Sequence, residues 1–108
     1  MFAIGGNCVV KRFRLNNLVI GNIGAAGSLN VDVAISAAHG LTTDSVGIAI
    51  PVDADLTAGL PTPIVRATSN VNLRLRFVNP SAGAIDPADT FDWDVFMFQP
   101  TGMIDQTV

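Results

Sequence analysis

The sequence predicts an all-β fold, a small antiparallel β-sandwich of Ig-like or jelly-roll-like type with about six to eight short strands. Residues that usually fill exposed helix surfaces are nearly absent, since the 108 residues include no Glu, a single Lys and two Gln. Val, Ile and Thr together number 29, while ten Gly, six Pro and eight Asn supply turn residues. Apolar and polar residues also alternate along several short runs, as in strands with one buried face.

Alternation and turn residues predict the strands in chain order. Residues 8–20 predict two strands around Asn16-Asn17. The strand at 46–50 stops at Pro51, which cannot donate a hydrogen bond to a sheet. His39-Gly40 is expected to be a turn, and no segment predicts a helix. The predicted strands after the first two are residues 29–36, 46–50, 64–68, 71–78 and 91–98.

Four of these strands have one apolar face, which we expect to be the buried one. The faces are Leu29, Val31, Val33 and Ile35; Val46, Ile48 and Ile50; Val71, Leu73, Leu75 and Phe77; and Phe91, Trp93, Val95 and Met97. If residues 71–79 and 90–98 pair as an antiparallel hairpin, two arginines of the first strand lie near two aspartates of the second. These residues are Arg74, Arg76, Asp92 and Asp94.

We expect a single domain over residues 1–108, with an N-terminal arm at 1–6 and a C-terminal tail at 100–108. The net charge of -3 and the pI near 4.6 argue against nucleic acid as a partner. The apolar runs are far shorter than the roughly 20 residues of a membrane helix, and the first residues do not form a secretory signal. We therefore expect no membrane partner.

The single cysteine, Cys8, is expected to be a small buried hydrophobe without a disulfide.

The sequence predicts no catalytic site. His39 is the only histidine and the one candidate base, with Ser36, Asp44 and Ser45 close to it in the chain. No Gly-x-Ser-x-Gly elbow accompanies these residues, so a turn explains them more simply. The glycine-rich segments do not lie between a strand and a helix, where a phosphate-binding loop would stand. We expect a protein that is not an enzyme and has no cofactor.

Four aspartates near the C-terminus leave a calcium site open as an alternative. The carboxylates of Asp86, Asp89, Asp92 and Asp94 could converge on a hard cation. Their spacing matches no EF-hand or nonapeptide calcium pattern. Because Asp also favours turns and the solvent side of strands, the cluster is explained without a metal, and no metal ligand is assigned.

Two segments are candidates for an interface with other subunits or with a larger assembly. Both faces of the last strand become apolar towards its end, so another segment or subunit must cover it there. The N-terminal segment could supply that cover. A basic cluster at residues 11–14 could contact an acidic partner, or it could mark a strand edge where positive charge discourages unwanted pairing. The predicted interface residues are Phe2, Ile4, Lys11, Arg12, Arg14, Phe96 and Phe98.

Several stretches resemble small β-rich virion proteins of tailed bacteriophages. One is VNLRLRFVNPSAGAIDP at residues 71–87, followed by the strand at 90–98. Others are GLTTDSV at residues 40–46, leading into a strand that ends at proline, and LTAGL at residues 56–60. The likeness extends over residues 29–98.

The resemblance implies a capsid decoration (cement) protein, often a homotrimer on the outer surface of the assembled head. The implied partners are the major capsid protein and other copies of the chain, after synthesis in the cytoplasm of the bacterial host. No catalytic residue carries over. Two alternatives stay open: a β-sandwich that recognises a host surface glycan or adhesion ligand through loops containing Asp86 and Asp89, and a tail or connector component.

Overall fold

The computed structural model describes residues 2–4, 8–52, 60–87 and 90–101. Its strands are β1 (Phe2–Ile4), β2 (Cys8–Val19), β3 (Ser28–Ala34), β4 (Val46–Pro51), β5 (Ile64–Ser69), β6 (Asn72–Val78) and β7 (Thr90–Pro100). A single 3-10 turn, Ala37–His39, begins at the cap Ser36 and ends at Gly40 in the left-handed conformation. The prediction of an all-β chain is confirmed.

All seven strands belong to one antiparallel sheet with the order β1-β2-β7-β4-β5-β6-β3. In a flat sheet, β2 and β3 would lie about 24 Å apart, five strand spacings. The ring of Phe13 on β2 nevertheless contacts the ring of His39, which closely follows β3, with centroids 4.8 Å apart. The sheet therefore curls, and two separately stacked sheets are not seen in the described part of the chain.

The curled sheet encloses a hydrophobic core. Inward side chains of the strands fill it together with loop residues. Phe91 and Trp93 are buried as predicted, and the Trp93 indole packs edge-on against Phe77 with ring centroids 5.9 Å apart. The predicted apolar face at 29–35 also packs against the core. The buried core residues are Leu15, Ile20, Ile23, Leu41, Ala49, Val65, Ala67, Leu73, Leu75, Phe77, Phe91, Trp93, Val95 and Met97.

Strand β4 faces the core with the opposite set of side chains from the predicted one. Its large residues were expected inside, but Gly47 and Ala49 face the core and the apolar row at 46, 48 and 50 faces outward. The physical reason is the space available beside β7. A Cβ atom on Gly47 would overlap the carbonyl oxygen of Phe96 and the sulfur of Met97. Only the small-residue side of β4 can approach β7 so closely.

Strand β2 is one continuous strand, so the prediction of two strands within residues 8–20 is wrong. The pairing with β7 shifts register between Leu15 and Leu18 without ending. Asn17 lies there with φ of 54°, a left-handed conformation that Asn tolerates better than most residues. The two asparagines therefore mark an irregularity inside the strand and not a turn.

The predicted hairpin between the sixth and seventh strands is also wrong. Among the described residues, β6 pairs with β3 and β5, whereas β7 pairs with β2 and β4. Arg74 consequently binds Asp32 on β3. Asp94 instead binds Arg12 and Arg14 of β2. The paired residues are 42 or more positions apart in the sequence, so a local pattern does not reveal them.

One buried amide holds the loops at one end of the sheet together. The side-chain nitrogen of Asn79 donates hydrogen bonds to the carbonyl oxygens of Ile23, Gly24 and Gly83 at 3.2, 3.1 and 2.8 Å. Its side-chain oxygen accepts from the amide and hydroxyl of Ser81 at 3.0 and 2.7 Å. The Asn79 side chain thus joins the backbone of two loops, and its own backbone amide also donates to the carbonyl oxygen of Gly27 at 2.8 Å.

Replacing Gly47 by alanine tests the close approach of β4 to β7. We expect Gly47→Ala to lower the free energy of unfolding by about 1–3 kcal/mol, because the added methyl overpacks the interior. Urea unfolding followed by circular dichroism measures the change. Gly83→Ala is the matched control, since a Cβ there meets nothing within 4 Å, and it should change stability by less than about 0.5 kcal/mol. Equal changes in the free energy of unfolding for Gly47→Ala and Gly83→Ala would contradict the close approach of Gly47 to β7.

A candidate protein-docking face

The side of the sheet that points away from the core is called the outer face here. The strand registers align outward residues into rows that cross the sheet. One row runs from β3 through β6, β5, β4 and β7 to β2. In that order its residues are Asn30, Arg76, Ile64, Ile48, Phe96 and Arg12. The middle of the row is apolar and both ends are polar.

The middle of the outer face forms a contiguous apolar patch over four strands. Ile48 lies opposite Phe96 on one side and opposite Ile64 on the other. Phe98 likewise lies between Val46 and Val10. Directly opposed residues of antiparallel strands have Cβ atoms about 4.5–5.5 Å apart, so these side chains are neighbours. The apolar patch comprises Val10, Val46, Ile48, Ile50, Ile64, Phe96 and Phe98.

The patch is exposed to an extent that is unusual for such residues. Val46, Ile48 and Ile50 expose 46%, 50% and 48% of their surface, and Ile64 exposes 64%. The remaining members of the patch are half-buried. Isolated exposed apolar residues are common, whereas contiguous patches mark interaction sites.

The five arginines of the chain all lie on the outer face, around the patch. On the β2 side, Arg12 and Arg14 share the carboxylate of Asp94, with nitrogen–oxygen distances of 2.9 and 2.6 Å. The Arg12 guanidinium also lies 5.9 Å from the ring centroid of Phe96, which is a cation–π contact. This border of the patch is therefore ordered by charge and by stacking.

The opposite border of the patch lies on β5 and β6. Arg74 forms two hydrogen bonds with the carboxylate of Asp32, at 2.8 and 3.1 Å. Arg66 lies opposite Arg74, and Arg76 lies opposite Ile64. Asp32, Asp92 and Asp94 are the outward acidic residues on the described strands, so this face carries net positive charge on a chain of net charge -3.

The ion pairs lower the pKa values of two aspartates on the outer face, Asp94 and Asp32. Hydrogen bonds from Arg14 and then Arg12 hold the pKa of Asp94 below its ordinary value. The hydrogen bond from Arg74 lowers the pKa of Asp32 in the same way and raises the pKa of Arg74 itself. Both aspartates are therefore anionic at neutral pH, and they neutralise part of the outer face.

The structure brings together four of the seven predicted interface residues, namely Arg12, Arg14, Phe96 and Phe98, on the outer face. Lys11 points to the other side of β2, where its ammonium donates to the carbonyl oxygen of His39. The N-terminal segment pairs through its backbone with β2 and not with β7, with residue 2 opposite residue 10. The side chains of Phe2 and Ile4 lie outside the described residues. Beyond Val10, the described part of β2 has β7 as its one neighbour, so the basic cluster does lie at an edge.

The sequence pattern did not predict that Val46, Ile48, Ile50 and Ile64 belong to an exposed patch. A signal was present, because Gly47 and Ala49 alternate with the large residues of β4 and leave little side chain to fill a core. No such size difference marks Ile64, because its neighbour Val65, which is fully buried, is also a β-branched aliphatic residue. An apolar residue on both sides of a short strand leaves its direction undetermined by alternation alone.

The other candidate groups do not converge on a site. Ser36 caps the 3-10 turn, and Ser45 is buried and donates its hydroxyl to Gln99. Asp92 accepts a hydrogen bond from the backbone of Asn17, whereas Asp89 lies outside the described residues. Within residues 8–52, 60–87 and 90–101, no group of three His, Cys or acidic side chains could hold a metal ion. No helix of the described chain is long and apolar enough to cross a membrane.

The chain matches no protein-family model, and no curated protein and no solved structure matches it significantly.

Removing Arg14 tests the ion pairs at the border of the patch. We expect Arg14→Gln to raise the pKa of Asp94 towards the ordinary value of about 3.9, because the strongest contact that lowers it is lost. A lowered pKa stabilises the fold above the unfolded-state pKa, and this contribution disappears as the pH falls through the folded-state pKa. As the pH falls from the unfolded-state pKa to below the folded-state pKa of Asp94, the free energy of unfolding should therefore decrease less for the variant than for the unaltered chain. Carboxyl ¹³C NMR titration measures the shift, with Asp32 as the internal control; an unchanged Asp94 titration would contradict the contact.

Proposed function

We propose that the chain is a decoration protein that binds the outer surface of an assembled phage head and stabilises it without catalysis. The apolar patch on the outer face carries this proposal. The sequence resemblance supplies the class of partner, which is the major capsid protein, and the location, which is the virion surface. The function needs no cofactor and no reactive side chain.

The composition of the outer face supports a protein as its partner. Protein interfaces have an apolar centre and a polar rim, and arginine and aromatic residues are enriched in them. The patch has such a centre in Ile48 and Phe96, with arginines on both borders. A glycan-binding site would instead need exposed aromatic rings as a stacking platform. Phe91 and Trp93 are buried, and the rings of Phe96 and Phe98 are half-buried among aliphatic neighbours.

The outward orientation of the large side chains of β4 supports docking by the outer face of the sheet. Val46, Ile48 and Ile50 are about half exposed, so each forgoes about half of the roughly 1.5–3 kcal/mol that full burial of such a side chain contributes. Covering the patch recovers that free energy at the moment of binding. A ligand that binds only the assembled shell stabilises it by RT ln(1 + [L]/Kd) at each site, about 2.7 kcal/mol at a concentration 100 times Kd.

Substitutions in the centre of the patch test the proposal. The binding partner to use is the particle assembled from the major capsid protein that the same genome encodes. We expect Ile48→Asp and Phe98→Asp to weaken binding to these particles by about 100-fold, because a central apolar anchor becomes a charge that must be desolvated. Co-sedimentation of the particle with labelled chain measures the affinity.

Val71→Asp is the matched control for those variants. Val71 exposes 48% of its surface, close to the value for Ile48, and it lies in the turn between β5 and β6, outside the patch. We expect this variant to bind as the unaltered chain does. Circular dichroism must show all three variants folded. Normal particle binding by folded Ile48→Asp and Phe98→Asp would overturn the proposal.

The oligomeric state separates a shell-facing patch from a subunit interface. The resemblance implies a homotrimer, so light scattering after size exclusion should give three times 11.3 kDa. Because the proposal assigns the patch to the shell, Ile48→Asp should leave that mass unchanged while particle binding is lost. A trimer that dissociates in Ile48→Asp would assign the patch to contacts between copies of the chain instead.

A further inference from the structure

A groove on the β5–β6 side of the outer face contains two arginines, Arg66 and Arg76, that form no ion pair with the described residues. It borders the apolar patch through Ile64, which belongs to both. Its other lining residues have polar or charged side chains. The lining residues are Asn30, Ile64, Arg66, Thr68, Arg74 and Arg76.

The charges in this groove are not balanced. Arg66 and Arg74 lie directly opposite each other on neighbouring strands, and like charges at opposed positions destabilise a sheet. Asp32 binds Arg74 and compensates that residue. Within the described residues, Arg66 has one long hydrogen bond of 3.5 Å to the carbonyl oxygen of Thr43, and Arg76 has no ion pair or side-chain hydrogen bond.

We propose that Arg66 and Arg76 bind a carboxylate, from an Asp or Glu side chain of the protein that covers the apolar patch. The two arginines are diagonal neighbours across β5 and β6, positions about 7–8 Å apart, so their guanidinium groups can converge on one anion. Arginine presents a planar fork of donors that matches a carboxylate in two parallel hydrogen bonds. The inference rests on the proposed function only for the identity of that protein.

The surroundings favour a carboxylate on a protein over a phosphate of a nucleic acid. Ile64 and Ile48 continue the groove into an aliphatic surface, which offers no ring on which a base could stack. The aromatic residues of the outer face, Phe96 and Phe98, lie beyond β4 and away from the groove. The chain also carries net charge -3, which opposes binding to a polyanion.

The groove and the apolar patch contribute different properties to one interface. Burial of apolar area is non-directional, so the patch alone could bind in several orientations. A carboxylate seated between Arg66 and Arg76 fixes the position of the partner along the strands. Charge complementarity of this kind raises the association rate and selects the partner.

Peptide titration tests the carboxylate site without any capsid. The probe is acetyl-Leu-Glu-Leu-amide at low ionic strength, with acetyl-Leu-Gln-Leu-amide as the neutral match, and the readout is the arginine Nε–Hε signals of ¹⁵N-labelled chain. We expect saturable shifts at Arg66 and Arg76, several-fold larger than at Arg12 and Arg14, which already share Asp94. The neutral peptide should produce none of these shifts. Equal shifts at all arginines, or larger ones with a hexathymidylate than with the peptide, would overturn the inference.

Particle binding then tests the role of the same site in the interface. We expect Arg76→Gln to weaken binding to capsid-protein particles by about 10-fold and to reduce the dependence of the affinity on salt, whereas Arg76→Lys recovers part of the loss. A folded Arg76→Gln variant that binds particles normally would overturn the role of the groove, although the proposed function would stand. If the unaltered chain binds no particle, the proposed function fails, and the peptide titration still decides the carboxylate site.

Discussion

The close approach of β4 to β7 at Gly47 is the constraint on which the rest of the outer face depends. Since no Cβ fits between Gly47 and Met97, β4 must turn its small residues inward and its large residues outward. Met97 of β7 is buried and lies against Gly47, in the space that a larger side chain of β4 would need. The outer face gains a row of aliphatic side chains, Val46, Ile48 and Ile50, that are about half exposed. A packing requirement inside the sheet is thus linked to an exposed apolar surface outside it.

Strand β7 connects these two sides because it is apolar on both faces over Val95 to Phe98. Its inward residues complete the core, and its outward Phe96 and Phe98 join the aliphatic row of β4 to Val10 on β2. Both neighbours of β7 are distant in the sequence, so the patch forms only when β2, β7, β4 and β5 have paired. The unfolded chain presents these residues in separate segments, and the folded sheet presents them as one surface.

Local pattern was sufficient to predict the strands but not their neighbours or all of their directions. The strands at 64–69, 72–78 and 90–100 were found within one or two residues, because alternation and proline are properties of the segment itself. Alternation states that Val46, Ile48 and Ile50 share a face, whereas the choice between inside and outside depends on the space beside β7. The order of strands is likewise set by contacts between distant segments, so the partner of Arg74 was misassigned. Phe96 and Phe98 were predicted as interface residues because their strand is apolar on both faces, which is a local signal, and the structure places both on the outer face.

The distribution of charge on the outer face restricts what can cover the apolar patch. Two copies that met face to face through the patch would each bring five arginines and three aspartates to the contact. Asp32 and Asp94 are already engaged within their own chain, so such a pairing would oppose net positive surfaces. An acidic protein surface would meet the same patch without that cost and would supply the anion that Arg66 and Arg76 do not find among the described residues. In the proposed interface, the apolar patch would therefore supply the affinity, and the arginines around it would favour an acidic partner over a second copy of the same face.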